Sequence, residues 1–179
     1  MKHALLRRKP YTLKRSPLKR KPYRIRKASL LTEAKLKKKL DILFSIYIRQ
    51  RDKECLWRNG ERHCIPDKVR RLECSHFYSR SFVSVRWDPA NCITLCSYHH
   101  WNSQTEGWEY QKHDDYRDLM IERLGEASYE ALRNRAKKAR PFSRNELTRL
   151  IEVLKTNPEN YEIEYYKLFV ANGNSMVAL

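Results

Sequence analysis

Only 4 of the 179 residues are glycine, and 21 acidic residues stand against 38 lysines and arginines. So little glycine starves a sandwich or barrel of tight turns, and with many Lys, Leu and Glu residues the chain favours helices. The shortage of acid leaves a formal net charge of +17. That is far beyond what solubility needs and calls for a polyanionic partner, nucleic acid before a membrane surface. Long apolar runs are missing too: none approaches the roughly 20 residues of a spanning helix. The basic N-terminus lacks the apolar core of a secretory signal and reads as part of the mature protein. Cysteine is sparse and odd in number, at five. A reduced, intracellular chain with metal-binding thiols fits that count better than a disulfide framework.

What is present divides into three regions: a basic arm over 1–29, a core with its preceding helix over 30–125, and a C-terminal helical region over 126–179. The arm repeats itself, Arg8-Lys9-Pro10-Tyr11 returning as Arg20-Lys21-Pro22-Tyr23. It cannot bury enough apolar surface to offset its ordering entropy, so alone it is expected to be disordered or extended. Lys9, Arg20 and Lys21 would release counterions on meeting DNA, giving affinity without sequence choice. A solvated tail that only aids solubility is the plainer alternative.

Leu36, Leu40, Leu43, Phe44 and Tyr47 recur at helical steps and predict a helix from about Thr32 to Asp52. Lys35, Lys37, Lys38 and Lys39 crowd its first half, where the macrodipole prefers acids, so they answer to an external anion or form a solvated face. Asn59-Gly60 signals a turn. A short strand is expected over 72–78, a second short strand or a turn over 92–95, and a helix from near Tyr98 or soon after. Further helices are expected over about 108–124, stopped by Gly125, and 128–139. Another follows the capping box Ser143-Arg-Asn-Glu146 and ends at Pro158. Tyr161, Tyr165 and Tyr166 are left to pack or to bind.

Two constellations carry chemistry. Cys96-Ser-Tyr-His99 places two donors on one tight turn, as a tetrahedral zinc ion requires. Cys55 and Cys64 would complete the shell, with Cys74 an alternative to Cys64. Cys92, before an apolar pair, reads as core. The second constellation is His76, then Asn91 fifteen residues on, then His100 nine residues later. Imidazole accepts protons near neutral pH, so His76 suits a general base. Asn91 and His100 would hold, or orient the ligands of, a second divalent ion that neutralises charge on a leaving oxygen. Arg80 and Arg86, in the loop between, match phosphate oxygens. Each member has a plainer reading: a lone histidine, a turn-capping Asn91, His100 as a spare zinc ligand in place of His99.

Together these residues resemble the His-Asn-His (HNH) endonuclease superfamily, and more narrowly the phage recombination nucleases of the NinG/Rap type. The matching text is Leu40-Asp41, Ile48-Arg49-Gln50-Arg51-Asp52, Cys55, Glu73-Cys74-Ser75-His76-Phe77 and Arg80. It continues through Arg86-Trp87-Asp88-Pro89, Asn91, Leu95-Cys96, His99-His100 and Arg123-Leu124-Gly125. The resemblance covers about residues 36–125. It implies an α+β, mostly helical fold: a zinc-stapled ββα-metal (treble-clef) core with flanking helices. It implies His76 as general base and Asn91 and His100 at the catalytic metal, Mg²⁺ or another divalent ion. Cys55, Cys96 and His99 match structural zinc positions, with Cys64 assigned by default because Arg58 stands where the family has its second cysteine. Many members carry an aspartate directly before the first histidine; Ser75 stands there instead.

The expected function is metal-dependent hydrolysis of DNA phosphodiester bonds, and the resemblance implies 5′-phosphate and 3′-hydroxyl ends. The setting would be recombination, repair or processing in the cytoplasm of a bacterial host, with duplex, branched and single-stranded substrates all open. Lys37, Lys38 and Lys39 join Arg80, Arg86 and the arm as expected DNA contacts. The rival expectations are a non-catalytic zinc-containing DNA-binding accessory protein and an RNA-binding protein. No membrane partner is expected. A homodimer suits paired cuts, but no residue marks its face.

Overall fold

The computed structural model describes residues 31–57, 71–100 and 110–170, all within a compact unit spanning Leu31–Leu179. Helices α1 (Glu33–Asp52), α3 (Tyr110–Leu124), α4 (Glu126–Lys137), α5 (Arg144–Thr156) and α6 (Tyr161–Val170) surround a two-stranded hairpin, β1 (Leu72–His76) and β2 (Cys92–Cys96). A further helix, α2, is described over 97–100. The fold is mostly helical with one small sheet, as composition predicts. No helix among the described residues is long and apolar enough to cross a membrane.

Local chemistry explains the ends. Thr32 caps α1 by accepting from the Lys35 amide at 3.4 Å, and Lys53 closes it in the left-handed region with φ 63°. Ser143 and Glu146 form the reciprocal capping box of α5. Gly125 separates α3 from α4 at φ 76°, a value that favours glycine.

The strands pair antiparallel, His76 opposite Cys92 and Leu72 opposite Cys96. Alternation then sorts their side chains onto two faces. Cys74 and Cys92 join the cluster built from Leu36, Leu40, Phe44 and Ile48 of α1, Leu147, Leu150 and Ile151 of α5, and Tyr161 and Tyr165 of α6. Ile93 and Leu95 join Tyr116 and Met120 of α3 and Tyr129 and Leu132 of α4. A fully buried leucine or isoleucine in such a core is worth about 1.5–3 kcal/mol. The helices after residue 125 therefore share a core with the hairpin and α1; they are not a separate appendage. Helix α6, unassigned from sequence, is one of its walls.

Charged contacts lock these layers. Asp52 ends α1 nearly buried. It receives the Arg51 guanidinium at 2.7 Å, Arg123 of α3 at 3.2 Å and the Thr94 amide of β2 at 2.8 Å. Burial raises its pKa, but the two guanidinium groups outweigh burial and hold it below the ordinary carboxylate range.

Candidate functional site

Cys55, Cys96 and His99 come together from the end of α1, the end of β2 and the start of α2. Their ligand atoms lie within 4.8 Å of one another. The His99 Nδ1 is 3.4 Å from each sulfur. A tetrahedral zinc ion with bonds of about 2.3 Å to sulfur and about 2.05 Å to nitrogen would separate S from N by about 3.6 Å. The donor set and spacing thus fit a metal ion. Trp57 stacks on the His99 ring, with centroids 5.9 Å apart. Cys64 lies outside the described residues, as do Lys9, Arg20, Lys21 and the turn at Asn59-Gly60. Cys74, its alternative, is placed elsewhere: it groups with His76 and Cys92. Burial, with Cys74 alongside, pushes the Cys92 thiol well up.

His76 ends β1 with its ring 6.4 Å from that of Phe44. Its Nε2 lies 3.0 Å from the Arg86 carbonyl oxygen. A carbonyl can only accept, so Nε2 carries the hydrogen and Nδ1 holds the lone pair. Burial is the main reason its pKa falls to about 4; the Arg86 carbonyl bond works against this, and the Arg80 charge adds to it. The imidazole is therefore neutral near pH 7 and able to accept a proton.

The loop between the strands is braced from three sides. Asn91 is fully buried and spends its whole carboxamide on that loop. Its Oδ1 accepts from the Tyr78 amide at 2.7 Å, and its Nδ2 donates to the Tyr78 and Val85 carbonyls at 2.9 Å each. Asn91 was expected to hold, or orient the ligands of, a metal ion; its contacts are instead with the backbone of this loop. Asp88, fully buried, accepts from the Ala90 amide, the Tyr166 hydroxyl and Arg135. From α6, Tyr161 donates to the Trp87 carbonyl at 3.0 Å and Tyr165 to the Ser84 carbonyl at 2.9 Å. These tyrosines pack and fasten the loop.

Arg86 is likewise corrected as a phosphate contact. Its guanidinium is bound to both carboxylate oxygens of Asp41, at 3.0 and 2.7 Å, and Trp87 Nε1 donates to the same carboxylate. Arg80 is exposed, and its charge is felt at His76. Of the α1 lysines, Lys37 pairs with Glu33, Lys38 is exposed, and Lys39 neighbours Lys155 of α5, which lowers its pKa.

His100 donates from Nδ1 to the Glu73 carboxylate at 2.5 Å, which leaves Nε2 as its lone-pair nitrogen. Glu73 was not singled out as functional from sequence; its only signal was its place in the matched run before His76. Ser75 faces α3 and receives the Tyr116 hydroxyl at 3.0 Å. His76 and His100 keep separate partners. Glu73 precedes His76 by three residues, about 10 Å along a strand and on the alternate face. No family model, curated protein or solved structure matches the chain.

Proposed function

We propose that the chain is a metal-dependent HNH-type DNA endonuclease built on a zinc-stapled ββα core of the treble-clef kind. The observation that carries this reading is the His76–Arg86 hydrogen bond. It fixes the tautomer, and burial keeps the ring neutral, so Nδ1 is a positioned base for a water molecule. Cys55, Cys96 and His99 suit a structural zinc.

His100, its outer nitrogen held by Glu73, would ligate the catalytic divalent ion through Nε2, the arrangement that orients metal-bound histidines. When bound, such an ion neutralises charge on phosphate and leaving oxygens. Arg80, exposed and beside His76, takes the phosphate contact that Arg86 cannot. Lys38, Lys39 and Lys155 offer a basic track for the flanking backbone. The resemblance to phage recombination nucleases extends this reading to recombination or repair substrates.

The rival is a DNA-binding zinc protein without catalysis. It is favoured by Asn91 and Arg86, whose side chains are spent on structure. Incubating the protein and Mg²⁺ with duplex, flap, four-way junction and single-stranded DNA separates the two. Cutting should fall by about 10²–10⁴ in His76→Ala. Equal cutting by both proteins would remove the base, and binding without cutting by the wild type would leave the rival.

A further inference from the structure

A second thiol cluster lies on the hairpin face turned toward α1, apart from Cys55, Cys96 and His99. His76 and Cys92 are cross-strand partners, and Cys74 precedes His76 by two residues on the same face. One ligand atom from each of Cys74, His76 and Cys92 lies within 4.8 Å of the other two. Cys92 is fully buried, Cys74 and His76 are half-buried, and both cysteines are free thiols. The Arg86 carbonyl takes the Nε2 hydrogen of His76, leaving the Nδ1 lone pair.

We propose that Cys74, Cys92 and the Nδ1 of His76 bind one soft divalent cation of the zinc class, at a site distinct from the structural one. Two sulfurs and an imidazole select thiophilic ions over magnesium. A backbone carbonyl behind the imidazole is the outer partner that metal-bound histidines require. Three protein donors leave a fourth, open position, so the site can load and release its ion. Arg51 donates to the Cys92 carbonyl at 2.7 Å, placing a positive charge near thiols that must ionise. Each thiol loses its proton to solvent as the ion enters, so binding releases two protons and changes no oxidation state.

One nitrogen lone pair cannot both bind an ion and take a proton from water. Occupancy would therefore silence the His76 base and make the cluster an inhibitory metal site. That consequence rests on the nuclease reading; the binding does not.

The test is the metal stoichiometry of the full chain. Metal-free protein titrated with Zn²⁺, and with Co²⁺ to read thiolate-to-cobalt absorption, should take up two equivalents. Cys74→Ser should take up one, keeping the equivalent that Cys96 holds. Alkylation of wild type, read at Cys74 by peptide mass spectrometry, gives a measurement free of any variant's folding. Cys74 should label at one equivalent of zinc and be shielded at two. Uptake of a single equivalent by wild type, or unchanged labelling of Cys74, would overturn the site. Two equivalents, with cleavage unaffected by the second, would keep the site and remove only the inhibition.

Discussion

The Nε2–H of His76 donates to the carbonyl oxygen of Arg86 at 3.0 Å, across the loop that joins the two strands. This bond chooses the tautomer of the ring. Its acceptor is held by the neighbouring residues: Trp87 is buried and bound to Asp41, and the Ser84 and Trp87 carbonyls receive Tyr165 and Tyr161. Helix α6, far along the chain, thus sets the geometry of a histidine on β1.

Tyr161→Phe tests that relay. Loss of one buried hydrogen bond should cost about 1 kcal/mol, read as a lower urea midpoint at constant slope. If the loop positions His76, the cleavage turnover should fall while KM holds. A fall in stability with turnover unchanged would confine Tyr161 to packing.

Arg80 and Arg86 should separate cleanly. Arg80→Ala should weaken DNA binding and reduce the slope of log affinity against log salt by about 1, with the thermal midpoint unchanged. Arg86→Ala removes the bidentate pair with Asp41 and should cost about 1.5–3 kcal/mol in denaturant unfolding. The opposite pattern would return Arg86 to the phosphate.

Removal of metal should unfasten the core at the end of β2. Where free zinc exceeds its dissociation constant a thousand-fold, a native-state site adds about 4 kcal/mol. Calorimetry of protein loaded with one equivalent of zinc, with and without a strong chelator, should show a large drop in midpoint, and Cys96→Ser should lose most of that response. An unchanged midpoint would mean that Cys55, Cys96 and His99 pack without an ion.

Asp52 gives a pH-dependent prediction. Its folded pKa is held below the unfolded value by Arg51 and Arg123 despite burial. The stabilisation is therefore complete above the unfolded pKa of about 3.9 and lost as pH falls through the lower folded value. Asp52→Ala should cost about 1.5–3 kcal/mol near neutrality, since it removes charge-assisted bonds from two half-buried guanidinium groups. The deficit should shrink as pH drops below about 4. A deficit constant down to pH 2 would mean that Asp52 contributes no ionised contact.

Much of the architecture was legible in the chain. The α1 stripe, the Thr32 and Gly125 ends and the Ser143–Glu146 capping box follow from rules that act within a few residues. So does the pairing of Cys96 with His99, because one turn brings i and i+3 together. Arg86 was misread because an exposed-loop arginine looks alike whether it meets phosphate or a carboxylate 45 residues earlier. Asn91 was ambiguous for the same kind of reason: its carboxamide can ligate or brace, and its neighbours in space decide.

By itself the sequence determined what depends on composition and short range: a basic, helix-rich chain, a short hairpin, and a set of thiol and imidazole donors at suggestive intervals. Only the tertiary structure decided which donors meet. Strand register put Cys92 opposite His76 and sent Cys74 to the α1 face, and α6 came back to hold the loop behind the imidazole. Those outcomes depend on packing two faces of one hairpin against helices distant in sequence, an arrangement that no local pattern encodes.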